Sequence, residues 1–279
     1  MQLTNELIQK IVLFVKQEPR TIQDIARHIE KSWMTAESYV QKIKAQTGLL
    51  DLKVFRQGTQ GALKIAYWNY QDAAAPDEIK QRLYQQILAG RKKTDFDPFE
   101  IYQHITKEKK SASKEYLEES TELGAESLFT LLREAKKEVC CFSGNNSWIN
   151  LKDKKSTTLE VLEILLQKKI SLRILCRIDF GSLQNLILFS KLMLKYPRQI
   201  EIRHAVQPLR GFIIDDTRVR LKDEKETQSY KKEELPRNIR ILYEWTDPAW
   251  IAWTQQVFWN LYRVSIPAEK RVQELEKIF

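Results

Sequence analysis

Histidine is nearly absent: the 279-residue chain has three, His28, His104 and His204. So few imidazoles leave little for histidine-based acid–base work. Cysteine is almost as scarce. Cys140, Cys141 and Cys176 are an odd number without C-x-x-C spacing, which argues against a disulfide framework or a zinc site and for buried, reduced thiols. Cys140 and Cys141 are adjacent on a strand-like run, so they point to opposite faces. No window of about 18 uninterrupted apolar residues exists, so no membrane span is expected. The segment Met1–Lys10 is amphipathic, carries Glu6 and lacks the n-region and apolar h-region of a secretory signal, so a cytoplasmic protein is expected. No internal repeat is visible, and neither a cofactor nor a metal is expected.

What is present in excess is positive charge. Lys and Arg number 46 against 37 Asp and Glu, a net charge of +9. A basic chain favours polyanionic partners such as nucleic acid or anionic lipid, although a Lys-rich surface alone has the same balance. The length suits two domains, each large enough to bury its own core.

The first seventy residues have a readable order. Leu3, Leu7, Ile8, Ile11, Val12 and Val15 recur at helical spacing, with Thr4 as cap and Pro19 just past the end. Thr21-Ile-Gln-Asp24 has the form of a capping box and opens a short helix with Ile22, Ile25, Ala26 and Ile29 inward. After a turn at residues 31–34, the pattern predicts a third helix over about 35–46, closed by Gly48. Two alternating runs, 50–56 and 62–68, flank a Gly-containing connection at 57–61 and predict a β-hairpin. Three helices followed by a hairpin is the order of a winged helix-turn-helix, assigned to residues 1–70.

Residues 71–115 read as a linker with one or two helices, the clearer one at 77–89. From 116 to 279, strands at 138–142, 171–176, 200–204, 212–214, 218–221 and 239–243 alternate with helical stretches. That order predicts an α/β domain around a mainly buried sheet. Residues 222–234 read as a solvated charge run, and Asp247-Pro248 caps a long last helix. The expected fold is an α+β winged helix-turn-helix followed by an α/β domain.

An α-helix fits the DNA major groove, where base edges expose distinct donors and acceptors. On the third helix, Thr35, Ser38, Gln41 and Lys42 face away from Val40: the first three are the candidate base readers, and Lys42 suits a phosphate or a guanine. Arg27, Lys31 and Lys44 are candidate phosphate holders, and Lys53, Arg56 and Lys64 lie on the expected wing. Between residues 20 and 64 stand eight cations and four anions, a surplus that favours double-stranded DNA as partner. A solvated helix in a protein-binding module has the same look. Ser143-Gly-Asn-Asn146 follows a strand at a carboxyl end, where open α/β sheets bind ligands. Asn145, Asn146 and Trp148, with Arg210, are candidates for holding a small-molecule effector, against a plain turn. On the last helix Trp250, Thr254, Val257, Phe258 and Leu261 share the core face. Trp259 points nearly opposite and Tyr262 sideways, so a homodimer contact or packing against residues 268–279 is expected there.

Residues 201–216, EIRHAVQPLRGFIIDD, resemble the signature strand of phospholipase D-like domains, H-x-K-x4-D. Phe258-Trp-Asn-Leu-Tyr262 resembles the F-x-x-L-[WY] stretch of TrmB-type transcriptional regulators, which join a winged helix to a phospholipase D-like domain through a helical linker. The resemblance spans nearly the whole chain. With Asp215 aligned, the family's Lys falls on Arg210 and its His on Pro208. Proline offers no nucleophile or transferable proton, so the resemblance implies an inactive sensing or dimerisation domain, no catalytic residue and no enzyme. His204 lies four residues upstream of the aligned position and is taken as structural. The expected function is a sequence-specific DNA-binding transcriptional regulator. The alternatives are an architectural or adaptor protein that binds DNA without sequence preference, and a DNA-targeted phosphodiesterase.

Overall fold

The computed structural model describes residues 3–56, 62–68, 76–117, 120–230 and 235–277. Thr4 accepts a hydrogen bond from the Leu7 amide and opens α1 (Asn5–Gln17), whose Ile11 and Val15 are buried. The chain then makes β1 (Arg20–Thr21) and α2 (Ile22–His28). The Thr21 hydroxyl accepts from the Asp24 amide while the Asp24 carboxylate accepts from the Thr21 amide, the reciprocal capping box expected from the sequence. Helix α3 (Trp33–Thr47) begins two residues earlier than its apolar periodicity indicates, because Ser32 caps it. Gly48, at φ 65°, ends it in the left-handed region where a Cβ is unfavourable. The hairpin strands β2 (Leu50–Arg56) and β3 (Ala62–Trp68) pair antiparallel, and β1 adds to β3. The expected connection at 57–61 lies outside the described residues.

Helix α4 (Pro76–Ala89) and the short α5 (Phe99–Tyr102) follow. Next comes β4 (Lys110–Tyr116), in a stretch whose charges hide it. The sequence reading leaves it in the linker, yet it is an edge strand, paired antiparallel over seven residues with the strand at Ile239–Trp245. The rest runs α6 (Ser120–Arg133), β5 (Glu138–Phe142), α7 (Thr158–Gln167), β6 (Ser171–Cys176), α8 (Leu183–Lys195), β7 (Ile200–His204), β8 (Gly211–Ile214), β9 (Arg218–Lys225), β10 (Ile239–Trp245), α9 (Pro248–Val264), β11 (Ile266–Pro267) and α10 (Ala268–Glu276). Asp247 caps α9 by accepting from the Ala249 and Trp250 amides. No helix among the described residues is long and apolar enough to cross a membrane.

The result is a mixed α/β architecture with an eight-stranded sheet, ordered β11-β7-β6-β5-β8-β9-β10-β4. Strands β5, β6 and β7 are parallel, and the remaining pairings are antiparallel. One face packs against α6, α7, α8 and α10. The other packs against α9, α4 and α5. Cys140 joins the second core and Cys141 the first, so the adjacent thiols do point to opposite faces, and all three cysteines are free and buried.

The three-stranded sheet is shared between two cores. Leu50 and Ala66 pack with α1, α2 and α3. Phe55, Leu63 and Ile65 instead join α4, α5 and the eight-stranded sheet, with Phe55 edge-on to Tyr243 at 6.3 Å. The hairpin is therefore a structural joint between the two cores.

Candidate nucleic-acid interface and effector cavity

Helix α3 buries Ala36, Tyr39, Val40 and Ile43. The opposite side exposes Ser38, Gln41 and Lys42 along an open groove with Met34 and Ala45. Met34 is 78% exposed, large for an apolar side chain. Ser38, Gln41 and Lys42 have no side-chain partner among the described residues. Thr35 is half-buried, and its hydroxyl lies 2.8 Å from that of Ser32 within the cap. Arg27 is exposed and Lys31 half-buried beside the start of α3.

The remaining cations expected at DNA are engaged inside the protein. Lys44 pairs with Asp51, whose carboxyl is held below its usual range: burial acts to raise it, and the Lys44 partner and the Leu52 amide outweigh this. Lys64 pairs with Glu37 of α3 and sits 5.2 Å from the centre of the Trp33 ring. Lys53 donates to the Tyr102 hydroxyl at 3.1 Å, turning toward α5. The expectation that Lys53 and Lys64 reach out from a free wing is corrected: Lys53 turns to Tyr102 at the joint with α5, and Lys64, on the adjoining strand, turns to Glu37 of α3. The side chain of Arg56 lies outside the described residues.

At the carboxyl end of β5, the Ser143–Asn146 turn opens a cavity of about 440 Å³. Asn145, Trp148 and Arg210 all line it, as the sequence reading places them. Asn146 does not. It is buried at φ 60°, its backbone N–H donates to the Ser143 hydroxyl, and its amide donates to Cys176 Sγ at 3.1 Å. It shapes the turn and is corrected from lining residue to support. Arg210 crosses close over Gly144, where an added Cβ would come within 2.9 Å of its Nε. It donates to the Gln207 and Leu209 carbonyls at 2.9 and 2.6 Å. Burial and the nearby Arg177 lower its pKa.

Among the described residues Arg210 makes no ion pair with Asp215 or Asp216, its neighbours along the chain. The Asp215 carboxylate instead accepts the backbone N–H groups of Lys136, Lys137 and Glu138 at 2.8–2.9 Å. Aligned Pro208 is buried against Gly90. His204 Nδ1 accepts from the Ile178 amide at 2.8 Å.

Lys93, Arg177, Arg220, Lys222 and Arg240 also line the cavity, with Glu115, Asp223 and Glu224. Sequence reading missed Lys222, Asp223 and Glu224 by assigning them to a solvated run. Strand β9 continues through Lys225, and the alternation of Val219 and Leu221 with Arg218 and Arg220 was the available signal. Burial alone would raise the Glu224 carboxyl, but Lys222, Lys93 and Arg240 hold it down to about 2. Six cations face three carboxylates, so the cavity favours an anion.

At the C-terminal end, Tyr262 is buried, and its hydroxyl donates to the Glu201 carbonyl at 3.3 Å. Trp259 is partly buried, edge-on to Phe258 and Tyr262. Tyr262 is therefore withdrawn from the expected dimer contact, while Trp259 keeps part of its surface exposed.

No protein-family model matches the chain, and no curated protein matches it. Solved structures do. The phospholipase D family member Nuc from Salmonella typhimurium is similar over 57% of this chain and 97% of its own, at 11% identity and a TM-score of 0.40. NucT from Helicobacter pylori is similar over 57% and 99%, at 15% identity and TM-score 0.39. TrmBL2, described as an archaeal chromatin protein with a novel mode of DNA binding, is similar over 95% of both chains, at 12% identity and TM-score 0.40. The expectation that this chain is no enzyme is withdrawn, because the similar structures include members of an enzyme family.

Proposed function

We propose that this protein binds double-stranded DNA through a winged helix-turn-helix made by α2, α3 and the hairpin, and that it acts as a sequence-specific regulator. The observation that carries the reading is the outer face of α3. Ser38 and Gln41 are short or flexible polar side chains without intramolecular partners among the described residues, Lys42 adds charge, and Met34 stands exposed. Polar groups of this kind read base edges, and an apolar group can meet a thymine methyl. Arg27 and Lys31 flank the face for phosphate contact. With Lys44, Lys53 and Lys64 engaged internally, the backbone grip is smaller than composition suggests. The 440 Å³ cavity supports an effector role for the second domain, with an anionic small molecule as the fitting class.

The test is a selection of bound sequences from random duplexes, followed by titration of the winner. Gln41→Ala should weaken that site by about 1–3 kcal/mol and leave random DNA nearly unchanged. Equal loss on every duplex would turn the reading toward binding without sequence preference.

A second reading has an observation of its own. Arg177, Arg210 and Lys222 in one cavity can hold phosphoryl oxygens and stabilise charge that develops there. In such a site water would attack phosphorus and one P–O ester bond would break, its oxygen leaving as an alcohol that carries the proton given up by the water. Incubating the protein with single- and double-stranded DNA and with a simple phosphodiester tests this. Turnover abolished by Arg210→Ala would establish it, and turnover unaffected by that change would remove the cavity from consideration.

A further inference from the structure

Four side chains of α3 stand in one line. Met34, Ser38, Gln41 and Ala45 follow one another at helical spacing. At about 100° per residue they fall within roughly 60° of the helix circumference. All four are exposed, and all line the same open groove. The stripe runs about 16 Å along the helix axis. It lies opposite the buried Ala36, Val40 and Ile43.

An exposed methionine by itself needs no explanation. Here its neighbours supply one. Met34, 78% exposed, is among the most exposed large apolar side chains of the described residues. It stands at one end of a line that carries no charge. α3 contains no Arg, Asp or Asn. Its one carboxylate, Glu37, also lines the groove but is engaged by Lys64. Thr35 is half-buried in the cap with Ser32. Lys42 lies roughly 70° round the helix from the centre of the stripe, on a flank that suits phosphate.

The four bases ask for different partners. In the major groove guanine is read by Arg or Lys, and cytosine by Asp or Glu. Adenine N6 and N7 suit the amide of Gln or Asn, and thymine alone projects a methyl group that an apolar side chain can cover. The stripe supplies partners for adenine and thymine and none for guanine or cytosine. Gln41 fits an adenine. Met34 and Ala45, on either side of it, fit thymine methyl groups. The Ser38 hydroxyl donates or accepts and so tolerates any base. Met34 and Gln41 are about 10 Å apart along the helix, so they address different base pairs.

We propose that α3 selects an A·T-rich half-site, with Gln41 on an adenine and Met34 on a thymine methyl group as the residues that determine specificity. This selectivity rests on α3 being the DNA-contacting helix, the reading given above. It adds which base pairs are chosen and which apolar side chain chooses them.

The experiment uses the full chain. A preferred duplex is selected from random DNA, and each of its thymines is replaced in turn by deoxyuridine, which keeps the base pair and removes only the methyl group. At one or two positions the exchange should weaken binding about fourfold, the worth of one buried methyl-sized group. Met34→Ala should weaken binding to the parent duplex by at least about that factor, and the methyl dependence at one of those positions should vanish. Met34→Leu keeps an apolar side chain and should retain the dependence. Met34 is exposed and Ala is the better helix former, so Met34→Ala should unfold no earlier than wild type. A selected half-site without A·T pairs, a duplex indifferent to every deoxyuridine exchange, or a methyl dependence that survives Met34→Ala at every position would each overturn the proposal and leave sequence-specific binding standing. The absence of any preferred duplex would overturn both.

Discussion

Two carboxylates show how single residues organise this fold. Asp215 sits at φ 49°, in the left-handed region, and gathers three consecutive backbone N–H groups at the entry to β5. Asp is among the residues that tolerate that conformation. Asp215→Ala would leave those donors without their acceptor, and the expected loss is about 2–4 kcal/mol in urea unfolding. A loss below about 0.5 kcal/mol, the size of an ordinary surface change, would show that water replaces the carboxylate at no cost. Sequence resemblance singles out this aspartate, but its role could not be read, because backbone donors carry no sequence signature. Glu224 gives a pH prediction. Burial would raise it, yet Lys222, Lys93 and Arg240 hold it near 2, below the ordinary 4.5. An acid with a depressed folded pKa contributes stability that is present above about 4.5 and lost as pH falls toward 2. Glu224→Gln should therefore be less stable than wild type at pH 7, with the gap closing as pH falls through that window. A gap independent of pH would assign the effect to packing.

Elements with strong local signals were legible, and elements defined by their neighbours were not. The Thr21–Asp24 capping box and the β5, β6 and β7 boundaries follow directly from pattern, because caps and apolar runs are local. β4 was not legible: KSASKEY offers Ala112 and Tyr116 to the core and otherwise polar side chains, and only its seven-residue pairing with β10 makes it a strand. At the candidate site, Asn145, Trp148 and Arg210 were legible as turn and strand-end residues, whereas Lys222, Asp223 and Glu224 at the end of β9 were hidden in a charge run. Helix α3 was legible except at its start. Ser32 accepts from the Thr35 amide at 3.2 Å and so draws Trp33 and Met34 into the helix. Ser32→Ala should cost about 1 kcal/mol of stability, while Ser32→Asp should restore it. The two variants, compared by thermal unfolding and by DNA titration, separate helix stability from DNA contact. If Ser32→Asp restores stability and binding still falls, the added negative charge lies near phosphate.

At the scale of the whole molecule, the consequential feature is that the N-terminal unit does not hang free. Phe55, Leu63 and Ile65 leave the core of their own helices and enter the one built by α4, α5, α9 and the eight-stranded sheet. Leu63 is 1% exposed, and Phe99, Tyr102 and Tyr243 are clustered at ring separations of 5.1–5.8 Å close to Phe55. Lys53 adds a hydrogen bond to Tyr102 across the same joint. A patterned hairpin in isolation signals only that one face is apolar; which unit covers that face is a tertiary fact. Two units that share a core lose part of it whenever either one opens, so they are expected to unfold together despite a chain long enough for two independent domains. Far-ultraviolet dichroism and tryptophan fluorescence should then give coincident urea transitions. Leu63→Ala, a change within the N-terminal unit, should lower both midpoints together, by about 2–5 kcal/mol in free energy. Two resolved transitions in the wild type, or a Leu63→Ala shift confined to one of them, would mean that the joint is weak and that the α3 face moves independently of the second domain.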